Sequence, residues 1–274
     1  MINDSLYKIK DWIDDRQRLG RITFAYQEIR EHFSAITEQA VKNALNRLKK
    51  KNEIVPVLKG FYAVIPIAYA LRGMIPPELY IDDLMKHLNR PYYIALLDAA
   101  AFYGAAHQQP QIFSVISTYP PLRDTAKKGT YINFIATRKT IPQIWLKSFR
   151  TENGDIQVSK PELTAADLIT FQKEIGGQNR ASTVLYELVE SISFTQLDKV
   201  FFDYVPASSI QRLGYLLEQE LEQVDLAEVL HAKAEEFACK FQKIPLKYSK
   251  PTKDSKTNTK WQIIINETIE TDDL

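Results

Sequence analysis

The stretch Thr37-Glu38-Gln39-Ala40-Val41-Lys42-Asn43-Ala44-Leu45-Asn46-Arg47-Leu48-Lys49-Lys50-Lys51 decides how the chain is read. Thr37 is a good helix N-cap, and Ile36 and Val41 occupy the two hydrophobic-staple positions around it. The spacing predicts a helix from Glu38 to about Lys51 with Val41, Ala44, Leu45 and Leu48 facing inward. Its other face shows Gln39, Lys42, Asn43, Asn46, Arg47 and Lys50. Amide side chains can bond adenine edges in pairs, Arg can fork onto guanine, and Lys neutralises phosphate.

Outward from this helix, Ser5–Arg16 carries Leu6, Ile9, Trp12 and Ile13 at helical spacing, and Gly20 stops it. Arg21–Phe24 reads as a short extended link. Ala25–Phe33 reads as a second short helix, joined to the third by Ser34-Ala35-Ile36. Two short helices and a brief turn make a helix-turn-helix. Downstream, Glu53–Leu58 and Phe61–Ile65 flank a Lys59-Gly60 turn, which predicts a β-hairpin. A hairpin placed there is a wing, with Lys59 at its tip in reach of a phosphate or the minor groove. The run Lys49-Lys50-Lys51 also complements the negative end of its helix. Winged helices that bind proteins are common, so an interaction protein whose winged helix is not a DNA reader stays open as the alternative.

The chain has 274 residues, suited to two domains, with 45% apolar and 25% charged side chains, enough to fill a core. Its single cysteine, Cys239, excludes an internal disulfide framework and fits a reducing, cytoplasmic setting. No secretory h-region follows Met1, and the longest uncharged stretch, Ala99–Leu122, is interrupted by His107, Gln and Pro, so no membrane span is expected. The net charge of +1 hides segregation. Residues 1–70 hold twelve bases against eight acids, Pro121–Arg150 seven against one, and residues 240–260 seven against one. Three basic stretches on a near-neutral protein suit positioned contacts with something anionic, although scattered Lys and Arg also simply solvate loops.

Pro66, Gly73, Pro76 and Pro77 place a linker at 71–78, between a winged domain at 1–70 and a second domain at 79–274. The second domain reads as mixed: helices at Tyr80–Leu88 and Tyr92–Tyr103, strands at Gln111–Ser117, Tyr131–Ala136 and Ile156–Val158, then helices. Ser159-x-x-Glu162, Ser193-x-x-Gln196 and Ser208-x-x-Gln211 read as capping boxes. Gly176-Gly177 separates two helices, Lys247–Lys260 reads as a polar loop, and Trp261–Ile265 as a final strand. The fold class is therefore α+β, an N-terminal winged helix-turn-helix followed by a larger mixed α/β C-terminal domain.

The sequence carries no phosphate-binding glycine loop, nucleophile elbow or zinc-protease motif, and its four His are dispersed. No catalytic residue, metal or cofactor is expected. Glu162 and Asp167 can be imagined as metal ligands of a nuclease, but the capping box explains Glu162 without a further assumption. The exit from the second helix of the second domain, His107-Gln108-Gln109-Pro110-Gln111, is amide-rich, and reads either as a turn satisfying helix carbonyls or as a recognition loop.

Four segments together resemble the AbiEi family of antitoxins. They are Tyr92–Gln111, Ser159–Leu168, Gly176-Gly177-Gln178-Asn179 and Gln211-Arg212-Leu213-Gly214-Tyr215. The resemblance implies a two-domain antitoxin of an abortive-infection (phage-defence) toxin–antitoxin system. It implies a transcriptional autorepressor that binds inverted repeats in its own promoter. It further implies a C-terminal domain that neutralises a nucleotidyltransferase-like toxin, without need of a stable complex. On this reading Gln39, Lys42, Asn43, Asn46 and Arg47 face the major groove of double-stranded DNA. Lys50 and Lys59 meet backbone, and Arg138, Lys139, Lys147 and Arg150 of the second domain add phosphate contacts. The Lys-rich 240–260 segment has no assigned role.

Overall fold

The computed structural model of the protein describes residues 2–105 and 110–269. Helices are α1 (Ile2–Arg18), α2 (Tyr26–His32), α3 (Glu38–Lys50), α4 (Ile81–His87), α5 (Leu96–Phe102), α6 (Pro161–Thr170), α7 (Gln178–Leu188), α8 (Lys199–Tyr204), α9 (Ala207–Tyr215) and α10 (Val224–Glu236). Strands are β1 (Thr23–Ala25), β2 (Ile54–Leu58), β3 (Phe61–Val64), β4 (Tyr92–Ile94), β5 (Ile112–Thr118), β6 (Thr125–Lys127), β7 (Thr130–Thr137), β8 (Leu146–Thr151), β9 (Gly154–Ser159), β10 (Ile244–Pro245), β11 (Thr257–Asn258) and β12 (Ile263–Ile264). By contact the chain forms two compact units. The first holds Met1–Tyr92, Gln111–Ala136 and Ser148–Gln157, and the second Tyr93–Pro110, Thr137–Lys147 and Val158–Leu274.

In the first unit, α1, β1, α2, α3, β2 and β3 follow the element order of a winged helix. The small sheet is antiparallel in the order β1-β3-β2, with Thr23 opposite Ala63 and Ile54 opposite Val64. Its core joins Phe24 of β1 to Ile9 and Ile13 of α1, Ile29 of α2, Val41, Leu45 and Leu48 of α3, and Ile54 of β2. Each such side chain contributes about 1.5–3 kcal/mol on burial. The predicted inward stripe of the third helix is the buried one, and Thr37 accepts a hydrogen bond from the Ala40 amide at 3.3 Å. Arg30, read in the sequence only as part of a helix, donates to the Ile36 carbonyl at 2.5 Å and fixes the α2–α3 turn. The first unit continues past residues 71–78: Thr23 Oγ1 donates to Asp83 of α4 at 2.6 Å, and His87 lies on the Phe61 ring at 5.0 Å. The β6–β7 hairpin, with Thr125 opposite Ile132, joins the same unit; Lys128 donates to Asn52 at 2.7 Å and Lys127 to the Pro56 carbonyl.

In the second unit, α6 is the central helix, buried from Glu162 to Ile169 and packed by α5, α7 and α9. Strand β4 pairs in parallel with β9 through Ile94 and Val158. The C-terminal strands form a three-stranded sheet in the order β10-β12-β11. Its anchor is Trp261, fully buried.

Three readings of the sequence are corrected. Tyr92–Tyr103 is not one helix. Tyr92–Ile94 is a strand, because two aromatics and a β-branched side chain precede the Ala-rich run, and Leu96 begins α5 with a left-handed φ of 58°. None of the three Ser-x-x-Glu/Gln boxes caps a helix: α6 is capped by Lys160 with Pro161 inside, and α9 by Pro206. Ser193 precedes a short 3-10 turn and makes no cap bond. The Lys247–Lys260 segment is not a free loop, since it contributes β11 and several ion pairs.

Candidate nucleic-acid interface

The buried and exposed positions of α3 divide as a period of 3.6 requires. With Val41, Ala44, Leu45 and Leu48 inside, Gln39, Lys42, Asn43, Asn46, Arg47 and Lys50 are all exposed. They form one continuous polar face. Gln39 Nε2 donates to Asn43 Oδ1 at 3.0 Å, so the two amides hold each other in place. Asn43 Oδ1 keeps a second lone pair, and its Nδ2 stays a donor, for a base edge. Lys42 pairs with Glu38 at 2.5 Å; the contact raises the lysine pKa and lowers that of the carboxyl. Glu38 also sits in the first turn, where the helix dipole favours an acid, and Arg47, Lys49 and Lys50 sit in the last turn, where it favours bases.

The wing is short and tethered. Gly60 adopts a φ of 78°, which its turn requires and which side chains with a β-carbon resist. Its carbonyl accepts the Tyr26 amide at 2.7 Å, which fixes the turn of the wing against the start of α2. Lys59 is exposed at the tip. Tyr62 stacks on Phe24 at 5.3 Å, and burial raises its pKa.

The other predicted phosphate contacts are differently placed. Arg150 is in the first unit, exposed and paired with Asp155 at 3.3 Å. Arg138, Lys139 and Lys147 are exposed in the second unit. Lys139 donates to the Asp203 and Tyr204 carbonyls, both at 2.8 Å, and so satisfies the end of α8. Lys147 lies 5.8 Å from the centre of the Tyr103 ring. In the 240–260 segment, Lys247 and Lys250 clamp Glu267, while Lys260 bridges Glu218 and Glu228. Part of this segment's positive charge is thus spent inside the protein. His107, Gln108 and Gln109 lie outside the described residues.

Comparison with known proteins finds a similarity in the second part of the chain. Residues 93–219 match the family model of the AbiEi antitoxin C-terminal domain. In these residues the chain is similar to the AbiEi antitoxin family. The match supports an antitoxin role in a toxin–antitoxin system, and with it a toxin as partner. The crystal structure of the RV2827C protein from Mycobacterium tuberculosis has the same fold: TM-score 0.62, 16% identity, over 92% of this chain and 89% of that one. No curated protein matches the chain.

Within the matched residues the carboxylates considered as metal ligands have structural partners. Glu162 Oε1 accepts the Ser193 amide at 3.0 Å and so holds the turn after α7. Asp167 accepts from Tyr93 at 3.0 Å, and Tyr93 also meets the Tyr204 hydroxyl at 3.0 Å. Burial drives the Asp167 pKa up to about 8, against the pull of the tyrosine hydrogen bond. Among the described residues, no group of three His, Cys, Asp or Glu stands close enough to hold a metal ion. Among them, too, no helix is long and apolar enough to cross a membrane.

The motif Gln211-Arg212-Leu213-Gly214-Tyr215 also finds its physical role. Gln211 Nε2 donates to the Gln242 and Trp261 carbonyls at 2.7 and 2.8 Å. Arg212 donates to the Leu246 and Pro245 carbonyls at 3.0 and 2.7 Å. This face of α9 is the dock for the C-terminal sheet of the second unit.

Proposed function

We propose that the protein is an antitoxin that reads duplex DNA through α3 and represses its own operon. The observation that carries this reading is the unbroken exposed face of Gln39, Lys42, Asn43, Asn46, Arg47 and Lys50 on a capped helix, followed by Lys59 on a tethered wing. Gln39, Asn43, Asn46 and Arg47 supply base-edge contacts, with Lys42 beside them once released from Glu38. Lys50 and Lys59 supply phosphate contacts. Arg138, Lys147 and Arg150 add backbone contacts, and Lys139 joins them on releasing the two carbonyls it now holds. The AbiEi domain neutralises a nucleotidyltransferase-like toxin in the cytoplasm as part of phage defence. No catalytic step or cofactor belongs to this reading.

The test is a footprint of the purified protein on the DNA upstream of its own gene, across a salt series. Protection of inverted repeats, weakening as salt rises, is the expected result. Absence of protection at low salt overturns DNA reading and leaves the interaction-protein alternative. Size exclusion of the co-expressed antitoxin and toxin addresses the second half, with separate elution expected.

A further inference from the structure

Gln178, the first residue of α7, is 6% exposed, and both atoms of its side-chain amide are buried without a hydrogen-bond partner. Ser182 stands one turn later on the same face, fully buried, and its hydroxyl also lacks a partner. Buried polar atoms in this state cost stability, and native proteins rarely keep them unless water, an ion or a ligand completes them. A helical side chain leans over the turn that precedes its own residue, so the Gln178 amide is aimed at the mouth of the helix. Other donors gather at the same mouth. Of the four amides that a helix start leaves over, that of Gly177 donates to the Gln172 carbonyl at 2.8 Å, and no side chain caps those of Gln178, Asn179 and Arg180. A β-carbon on Gly177 would meet nothing within 4 Å, so the approach is open there. The first turn holds no acid, although the helix dipole favours one, and holds Arg180 instead. The Arg180 stem folds back over Gly176, with its Cδ 3.5 Å from where a β-carbon of that glycine would stand. The guanidinium is thereby carried toward the mouth, exposed and with no acceptor among the described residues.

We propose that the start of α7 binds a phosphate group. The amides of Asn179 and Arg180 and the Arg180 guanidinium meet its oxygens from the open side, and Gln178 Nε2 meets one from beneath. The Gln178 amide is closed to water in the free protein, and drawing it toward the mouth breaks no hydrogen bond, because it makes none. Donors that approach from more than one plane suit the tetrahedral oxygens of phosphate better than the two coplanar oxygens of a carboxylate. Gln178 Oε1 remains as an acceptor, which a hydroxyl beside an esterified phosphate satisfies. The site lies in the second unit, whereas α3 lies in the first, and the inference goes beyond DNA reading without resting on it.

The test is a titration of the full chain, without DNA, followed by the amide signals of its proton–nitrogen nuclear magnetic resonance spectrum. The probes are inorganic phosphate, adenosine 5′-monophosphate and acetate, with sodium chloride holding the ionic strength constant. The expected result is that the Gly177, Asn179 and Arg180 amides shift together and saturate with phosphate or the monophosphate, and not with acetate. Tighter saturation by the monophosphate identifies a phosphate ester as the ligand, and equal saturation identifies free phosphate. Arg180→Ala, a change at an exposed residue, should raise the dissociation constant at least about tenfold, and Lys240→Ala should leave it unchanged. Gln178→Leu should also weaken binding, yet leave the anion-free protein no less stable, because leucine removes two unpartnered polar atoms. No saturable shift at tens of millimolar phosphate overturns the proposal. So does a shift that acetate reproduces, one that survives Arg180→Ala, or a Gln178→Leu protein that unfolds more easily with no anion present. Because no DNA is present, failure here is distinct from failure of the footprint.

Discussion

The place where Gly214 would carry a β-carbon is filled by the indole of Trp261, whose nearest ring atom lies 2.1 Å from that position. Gly214 lies within α9, and Trp261 is the buried anchor of the C-terminal sheet. The glycine is needed for close approach, and no left-handed backbone is involved. Gly214→Ala must therefore push the indole out or shift the helix. A loss of about 1–3 kcal/mol or more is expected, as for other overpacked cores. Urea unfolding followed by tryptophan fluorescence checks it; a variant as stable as the parent would show that the sheet can reseat.

Gln211 acts at the same dock by hydrogen bonding. Its amide serves two carbonyls while the residue is 1% exposed. Gln211→Leu keeps roughly the volume but leaves both carbonyls without that donor, for a cost of about 1–3 kcal/mol each where no water replaces it. Gln211→Glu should be worse at neutral pH, because a carboxylate would face two carbonyl oxygens. Limited proteolysis near residues 240–260 should quicken in both variants, and more in the second.

Asp167 gives a pH dependence with a definite sign. Burial raises its pKa from 3.8 to about 8 in the folded protein. The folded state therefore holds a proton that the unfolded state has released. Stability from this group is complete below about pH 4 and falls as pH rises toward 8, at no more than roughly 1.4 kcal/mol per unit. Asp167→Asn removes that slope. Urea midpoints from pH 5 to pH 8.5 should fall less steeply in the variant than in the parent, and identical slopes would refute the assignment.

Local chemistry made the winged part of the fold legible. Thr37, the Val41–Leu48 stripe and the Lys59-Gly60 turn each act within a few residues, and each does in the structure what its sequence suggests. The three Ser boxes failed for the opposite reason. Glu162 and Gln211 spend their side chains on partners 31 to 50 residues away. Pro161 and Pro206 already supply the helix starts without a side-chain cap. Strands β6 and β8 went unseen because each pairs on one side only and buries at most one residue fully, so no apolar alternation marks them. In the candidate interface the exposed face of α3 was legible from periodicity. The internal duties of Lys127, Lys128 and Lys139 were not, since a carbonyl partner leaves no mark in sequence.

The Thr37 cap tests the reading helix without touching its outer face. Its side chain takes the Ala40 amide, which otherwise has no partner within the helix. Thr37→Ala should cost about 1 kcal/mol of stability, with an observable range of roughly 0.5–2, while Thr37→Asp should restore it. If DNA affinity then falls in Thr37→Ala but recovers in Thr37→Asp, the helix start itself is what the interface needs.

Arg47 and Lys59 separate base reading from charge. Both are exposed, one on α3 and one at the wing tip. An arginine that forks onto a base discriminates among sequences, so Arg47→Ala should cost about 1–3 kcal/mol on the operator and much less on unrelated duplex. A wing lysine that meets phosphate contributes alike to every sequence. Lys59→Ala should therefore weaken operator and random DNA together and lower the slope of log affinity against log salt by about one. The two variants thus predict opposite patterns in the same titration. If both lose affinity uniformly, α3 contacts only backbone, and its amides do not read bases. If neither loses any, the polar face of α3 serves another partner.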